Sequence, residues 1–164
     1  MSELDAATNN KIRLLCSQGD KLSKLGDYDR AISKYYEALT LLPSLHERSH
    51  ISAFLYTSIG EAYWNMKDYE NAGESFCEAY ECPGMNGNAQ ITFRIGQCLT
   101  ECGDEANARD YLRHAVRLGG ESIIADADRR YYNVLYPAAG LEPRVIPEAY
   151  TDPLAGAACC WDAG

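Results

Sequence analysis

Basic residues are in short supply in this 164-residue chain: 15 Lys and Arg stand against 24 Asp and Glu, a formal charge of −9, and no local cluster of Lys or Arg offsets the deficit. Phosphate backbones and anionic lipid surfaces need a basic face, so neither nucleic acid nor membrane is an expected partner. Long apolar runs are missing too; nothing approaches the roughly 20 residues that a membrane-spanning helix needs. The first residues, Met1-Ser2-Glu3-Leu4-Asp5, carry acids where a secretory signal carries Lys or Arg, so a cytoplasmic location is expected. Seven cysteines, at 16, 77, 82, 98, 102, 159 and 160, make neither a C-x2-C pair nor an even framework, against both a zinc site and a secreted disulfide scaffold. A Gly-rich phosphate loop, a nucleophile elbow and paired catalytic carboxylates are all missing, so no enzyme and no cofactor is expected. What remains, 46% apolar and 24% charged residues, is the composition of a folded domain or a short repeat array.

What is present is an internal repeat. Gly19, Gly26-Asp27-Tyr28, Ala31, Tyr35, Ala38 and Pro43 follow in order. Gly60, Asp68-Tyr69, Ala72, Phe76, Ala79 and Pro83 then appear at matching offsets, and Gly96, Gly103-Asp104, Ala108, Leu112 and Ala115 form a third copy. The glycine and alanine landmarks move together, by 41 residues and then by 36.

Each copy reads as two amphipathic helices, with apolar residues at helical spacing such as Leu14, Leu15, Leu22 and Leu25, then Ile32, Tyr35 and Leu39. The glycines and alanines are size choices that let paired helices approach closely. Asp27, Asp68 and Asp104 stand at the start of each second helix, where a short acid accepts the free N–H groups of the first turn. Ser44-Leu45-His46-Glu47 has the spacing of a capping box, so the helix after Pro43 is expected to begin at Ser44 and to be longer than its counterparts. The turn Pro83 to Asn88 ends in a candidate cap, Asn88. Gly119-Gly120 break the chain, and one capping helix is expected over residues 121–136. From Pro137 the chain carries four prolines and should be an extended or disordered tail, residues 137–164.

The order of landmarks resembles the tetratricopeptide repeat, W-x2-L-G-x2-Y followed by A-x3-F, Ala and Pro. The second copy is closest, with Tyr56-x2-Ile59-Gly60-x2-Tyr63, Ala72-x3-Phe76, Ala79 and Pro83. The resemblance implies an all-α fold: a solenoid of three helix-turn-helix repeats, over about 12–45, 46–86 and 88–120, some seven helices counting the cap, with the solenoid spanning 1–136. In this family the first helix of each repeat lines a concave groove. By offset, the groove residues are Arg13, Cys16, Asp20 and Lys24 in the first repeat. The second supplies Phe54, Thr57, Ser58, Glu61, Trp64 and Asn65; the third supplies Gln90, Phe93, Arg94, Gln97 and Glu101. Aromatics and Arg are the commonest interface anchors, which singles out Phe54, Trp64 and Phe93. The carboxylate clamp by which some relatives grip chaperone tails has Lys and Asn on the first helix, Asn in the second repeat, then Lys and Arg in the third. Here those places hold Cys16, Asp20, Ser58, Gln90 and Arg94, and only the last matches.

Among the thiols, Cys82 and Cys102 align with Leu, Met and Leu positions and are expected in the core, while one of Cys16 and Cys77 is expected to be accessible. His46 and His50 are i and i+4 on one expected helix, without further ligands for a metal, so a solvated face is expected. The chain also resembles small bacterial three-repeat proteins associated with polymorphic toxin systems. That implies an immunity or adaptor protein that holds a cognate toxin or effector, for which an acidic chain suits a basic partner domain. A secretion chaperone that holds an extended segment of an exported protein is the alternative, and a Cys16-dependent enzyme a third, disfavoured class.

Overall fold

The computed structural model describes residues 5–44 and 48–137, and every regular element among them is helical. The chain divides into two compact units, Met1–Met85 and Asn86–Gly164. The first holds α1 (Ala6–Lys24), α2 (Tyr28–Leu39), α3 (His50–Asn65) and α4 (Tyr69–Tyr80). The second holds α5 (Ala89–Glu101), α6 (Glu105–Gly119), α7 (Ser122–Ala125) and α8 (Arg129–Leu135). The tail from residue 138 lies outside the described residues.

The hairpins α1–α2, α3–α4 and α5–α6 share one packing device. A Cβ built on Gly19 would lie 2.6 Å from the Tyr35 ring, on Gly60 2.8 Å from the Phe76 ring, and on Gly96 2.9 Å from Leu112. The glycine of each first helix therefore receives the large side chain of the second, and no other residue leaves that space. Ala31, Ala72 and Ala108 are fully enclosed on the opposite helix, so size decides the composition at both positions.

Helix starts follow capping chemistry. Asp5 accepts from Thr8 N–H at 2.9 Å, Asp68 from Asn71 N–H at 3.2 Å and Asp104 from Asn107 N–H at 3.2 Å. Asn88 accepts from the N–H groups of Gln90 and Ile91. Asp27 stands at the start of α2 but makes no side-chain cap; its carboxylate is paired with Arg30 at 3.2 Å instead. The lengthened helix expected from Ser44 is corrected: α3 begins at His50, capped by Ser49, whose hydroxyl accepts from Ser52 N–H while Ser52 Oγ accepts from Ser49 N–H at 2.7 Å. His46 and Glu47 lie outside the described residues, and His50 is the first residue of α3.

In the first unit, Ile12, Leu15, Ala31, Ile32, Tyr35, Leu55, Ile59 and Ala62 form one core across three helices. Leu14 and Leu25, expected on the buried stripe, are exposed. In the second unit α5 and α6 bury Ile95, Leu99 and Leu112, and α7 and α8 add Ile124, Tyr131, Val134 and Leu135. The single helix expected over 121–136 is two short ones, interrupted at Asp126-Ala127-Asp128, where Asp128 accepts from Arg130 N–H at 2.9 Å and starts α8. Cys82 is buried as expected; Cys102, at the end of α5, is exposed, contrary to the core position expected of it. Cys77 is buried and disulfide-bonded, and Cys16 is a half-buried free thiol, which leaves Cys16 as the accessible one of that pair. No helix among the described residues is long and apolar enough to cross a membrane.

Candidate functional site: the outer face of α1 and α3

The core of α1 is set by Ile12, Leu15 and Gly19. At a period of 3.6 the next strip of the helix therefore presents Arg13, Cys16, Asp20 and Lys24 to one side. On α3 the corresponding strip is Phe54, Thr57, Ser58, Glu61 and Asn65. The two strips meet at Tyr35, which reaches past Gly19 from α2. Its phenol donates to Asp20 Oδ1 at 2.8 Å, with the Ser58 hydroxyl also within hydrogen-bonding reach. Burial first, and then the Asp20 carboxylate, push the Tyr35 phenol far above its ordinary value. The same two causes, in the same order, raise the Cys16 thiol. Cys16 is therefore held as a neutral thiol, the reverse of what a nucleophilic cysteine needs.

Around this polar centre lie larger groups. Phe54 is 50% exposed at the start of the second turn of α3. Trp64 is half-buried, edge-on to Tyr69 with ring centroids 5.0 Å apart. Arg13, Lys24 and Asn65 are exposed, and Glu61 is half-buried. The hydroxyls of Thr57 and Ser58 donate to the carbonyls of Ala53 and Phe54, and the Asn65 amide to that of Glu61, so each also retains acceptor or donor capacity toward solvent. The face can form hydrogen bonds and bury aromatic area. Among the described residues no group of three or more His, Cys, Asp or Glu could hold a metal ion.

The third-repeat residues have different surroundings. Gln90 is exposed and Arg94 is half-buried, donating to Gln97 Oε1 at 3.2 Å. Phe93 is only 6% exposed, packed edge-on against Tyr131 of α8, and Gln97 is equally enclosed. The Glu101 side chain, 11% exposed, accepts from the Tyr131 phenol at 2.7 Å and is paired with Arg130 at 2.9 Å. Arg130 also stacks over the Tyr131 ring, and Arg109 donates to the Val134 carbonyl at 2.9 Å, holding α8 in place. Burial, then the Glu101 carboxylate, raise the Tyr131 phenol as Asp20 does Tyr35. Sequence offsets place these residues at the right register but carry no sign of α8, because its contacts to α5 cross about thirty residues of chain.

Residues 55–81 and 89–118 match the profile of the tetratricopeptide repeat. No match was found among curated proteins. Among solved structures, the second repeat domain of human RPAP3, in complex with an HSP70 peptide, superposes with a TM-score of 0.61 at 18% identity, covering 79% of this chain and 96% of that one. The first such domain of Spaghetti (RPAP3), bound to an HSP90 peptide, gives 0.60 at 19% identity, covering 78% and 90%. The Sgt2 domain from Aspergillus fumigatus gives 0.57 at 15% identity, covering 88% and 93%. The first hairpin falls outside the matched residues, yet its Gly19–Tyr35 contact repeats those of Gly60–Phe76 and Gly96–Leu112. The chain therefore carries tetratricopeptide repeats in the all-α fold of these domains.

Proposed function

We propose that the chain is a non-catalytic protein-binding module, and that the outer face of α1 and α3 is where its partner sits. The observation that carries the reading is the half-exposed Phe54 ring beside a preformed polar centre of Asp20, Tyr35 and Ser58. Aromatic anchors next to fixed hydrogen-bonding groups are the usual hot spots of protein interfaces. Arg13, Lys24, Thr57, Glu61, Trp64 and Asn65 surround them; Gln90 and Arg94 are a secondary candidate region, while Phe93 and Glu101 serve to seat α8 and Gln97 is enclosed beside Arg94.

The chaperone peptides held by the two RPAP3 domains, SGPTIEEVD and SRMEEVD, are acidic at their C-terminal ends. Asp20 and Glu61 oppose such a ligand, so the partner of this chain belongs to another class. The immunity or adaptor reading, in which a cognate toxin or effector is held, fits a chain of net charge −9 facing a basic domain. Quantitative affinity capture from native cells tests it. The full chain should enrich one basic effector-type protein, and Phe54→Asp should lower its recovery at least tenfold. Recovery of exported substrates in extended form would favour the secretion-chaperone alternative; equal recovery by both baits defeats the surface assignment.

A further inference from the structure

Lys11, Leu14, Gln18, Lys21 and Leu25 follow one another at intervals of three and four along α1 and so share a face, turned away from the Arg13–Asp20 strip. The repeat offset carries them onto Ser52, Leu55, Ile59, Ala62 and Met66 of α3. There the first four are fully enclosed, and Leu55, Ile59 and Ala62 join the core made by Ile12, Leu15 and Ile32. It is the face by which a hairpin packs onto its predecessor. On α1 the same face is open: Leu14 is 58% exposed and Leu25 is 82% exposed. Its centre has turned from Ile59 and Ala62 to Gln18 and Lys21, while a leucine is kept at each end. Eleven residues separate the leucines, about 16 Å along the helix at 1.5 Å per residue.

The charge of the face names its occupant. In a chain of −9, this face of α1 carries Lys11 and Lys21 and no carboxylate. Glu37 of α2 is paired with Lys34 at 2.7 Å and reaches Lys11 only weakly, so Lys11 and Lys21, both exposed, give the face its positive potential. Pairing two copies through this face would set like charges together on helices and between whole chains. We propose that this face of α1 is a second docking surface, whose occupant is an acidic amphipathic helix of a partner protein. Apolar side chains of that helix would lie on Leu14 and Leu25 and its carboxylates would meet Lys21 and Lys11. It extends the reading of the α1–α3 face and uses different residues.

The test uses the full chain and two stapled four-turn helical peptides with Leu at two positions eleven apart, one with Glu and one with Lys between them. Amide chemical shifts should move saturably on α1 with the Glu peptide and not with the Lys peptide. Leu14→Asp with Leu25→Asp should weaken the effect at least tenfold with circular dichroism unchanged, and Phe54→Asp should leave it intact. Absence of saturable shifts, equal response to both peptides, or loss with Phe54→Asp overturns the proposal. Concentration-dependent self-association abolished by Leu14→Asp would also overturn it, by making a second copy the occupant.

Discussion

Gly60→Ala puts the repeat packing to its hardest test. The added methyl would lie 2.8 to 2.9 Å from three ring carbons of Phe76, a side chain with no exposure. The ring cannot retreat into solvent, so either it leaves its rotamer or α3 and α4 move apart. Overpacking of this kind costs about 1–3 kcal/mol. Against it, Ala in a helix interior is better than Gly by roughly 0.8–1 kcal/mol. The net loss should be about 0–2 kcal/mol, read by urea denaturation with tryptophan fluorescence and far-ultraviolet circular dichroism together, since the two units need not melt as one. Phe76→Leu in the same background should restore part of the loss, giving a favourable coupling between the two sites. Gly87→Ala, where nothing lies within 4 Å, is the control and should show no steric cost. A Gly60→Ala that stabilises with Phe76 in place, or that shows no coupling to Phe76→Leu, would refute the close-packing account of the repeat.

Lys67 sits at φ 62, where the other two repeats have Gly26 at φ 79 and Gly103 at φ 84. Lys67→Gly should therefore stabilise the first unit by about 0.5–1 kcal/mol in urea melts, the left-handed strain relieved exceeding the flexibility added to the unfolded chain. Ser49→Ala should cost about 1 kcal/mol by removing the cap of α3. The enclosed Tyr35 and Tyr131 phenols are raised well above their ordinary value and Tyr136 to about 12, in each case chiefly by burial. Stability that depends on their neutral forms is complete below the ordinary phenol value near 10 and is lost as pH rises toward about 12. Absorbance at 295 nm should show tyrosines ionising late and together with loss of helix; independent ionisation of all twelve tyrosines near pH 10 with the helices intact would contradict it. Titration of the HSP70 peptide SGPTIEEVD into the full chain should give no saturable heat, whereas micromolar binding lost with Arg94→Ala would restore a chaperone-tail reading.

The repeat was legible in the sequence because its landmarks are size constraints: Gly19, Gly60 and Gly96 face large side chains, and any other residue there collides. The start of α3 was harder to read. Ser44-x-x-Glu47 and Ser49-x-x-Ser52 both have capping spacing, and the second prevails where Ser52 is fully buried and its hydroxyl needs partners, which Ser49 N–H and C=O supply. The interruption between α7 and α8 was hidden because Ile124, Tyr131 and Leu135 fit one continuous helix as well as two; the decisive feature is the Asp128 cap. Leu14 and Leu25 obey the apolar period of α1 yet lie outside, because periodicity reports a face and not what covers it. In the candidate site, offsets placed Asp20 and Ser58 on their helices, whereas their meeting at Tyr35 and the enclosure of Phe93 and Glu101 by α8 depend on contacts distant in sequence.

The most direct test of the central claim, that a partner occupies the outer face of α1 and α3, is site-specific photo-crosslinking in native cells. With Ser58→benzoylphenylalanine in the full chain, irradiation should give one dominant protein adduct, absent when the same group replaces exposed Glu105 of α6. No adduct from position 58, or the same adduct from both positions, would contradict the account.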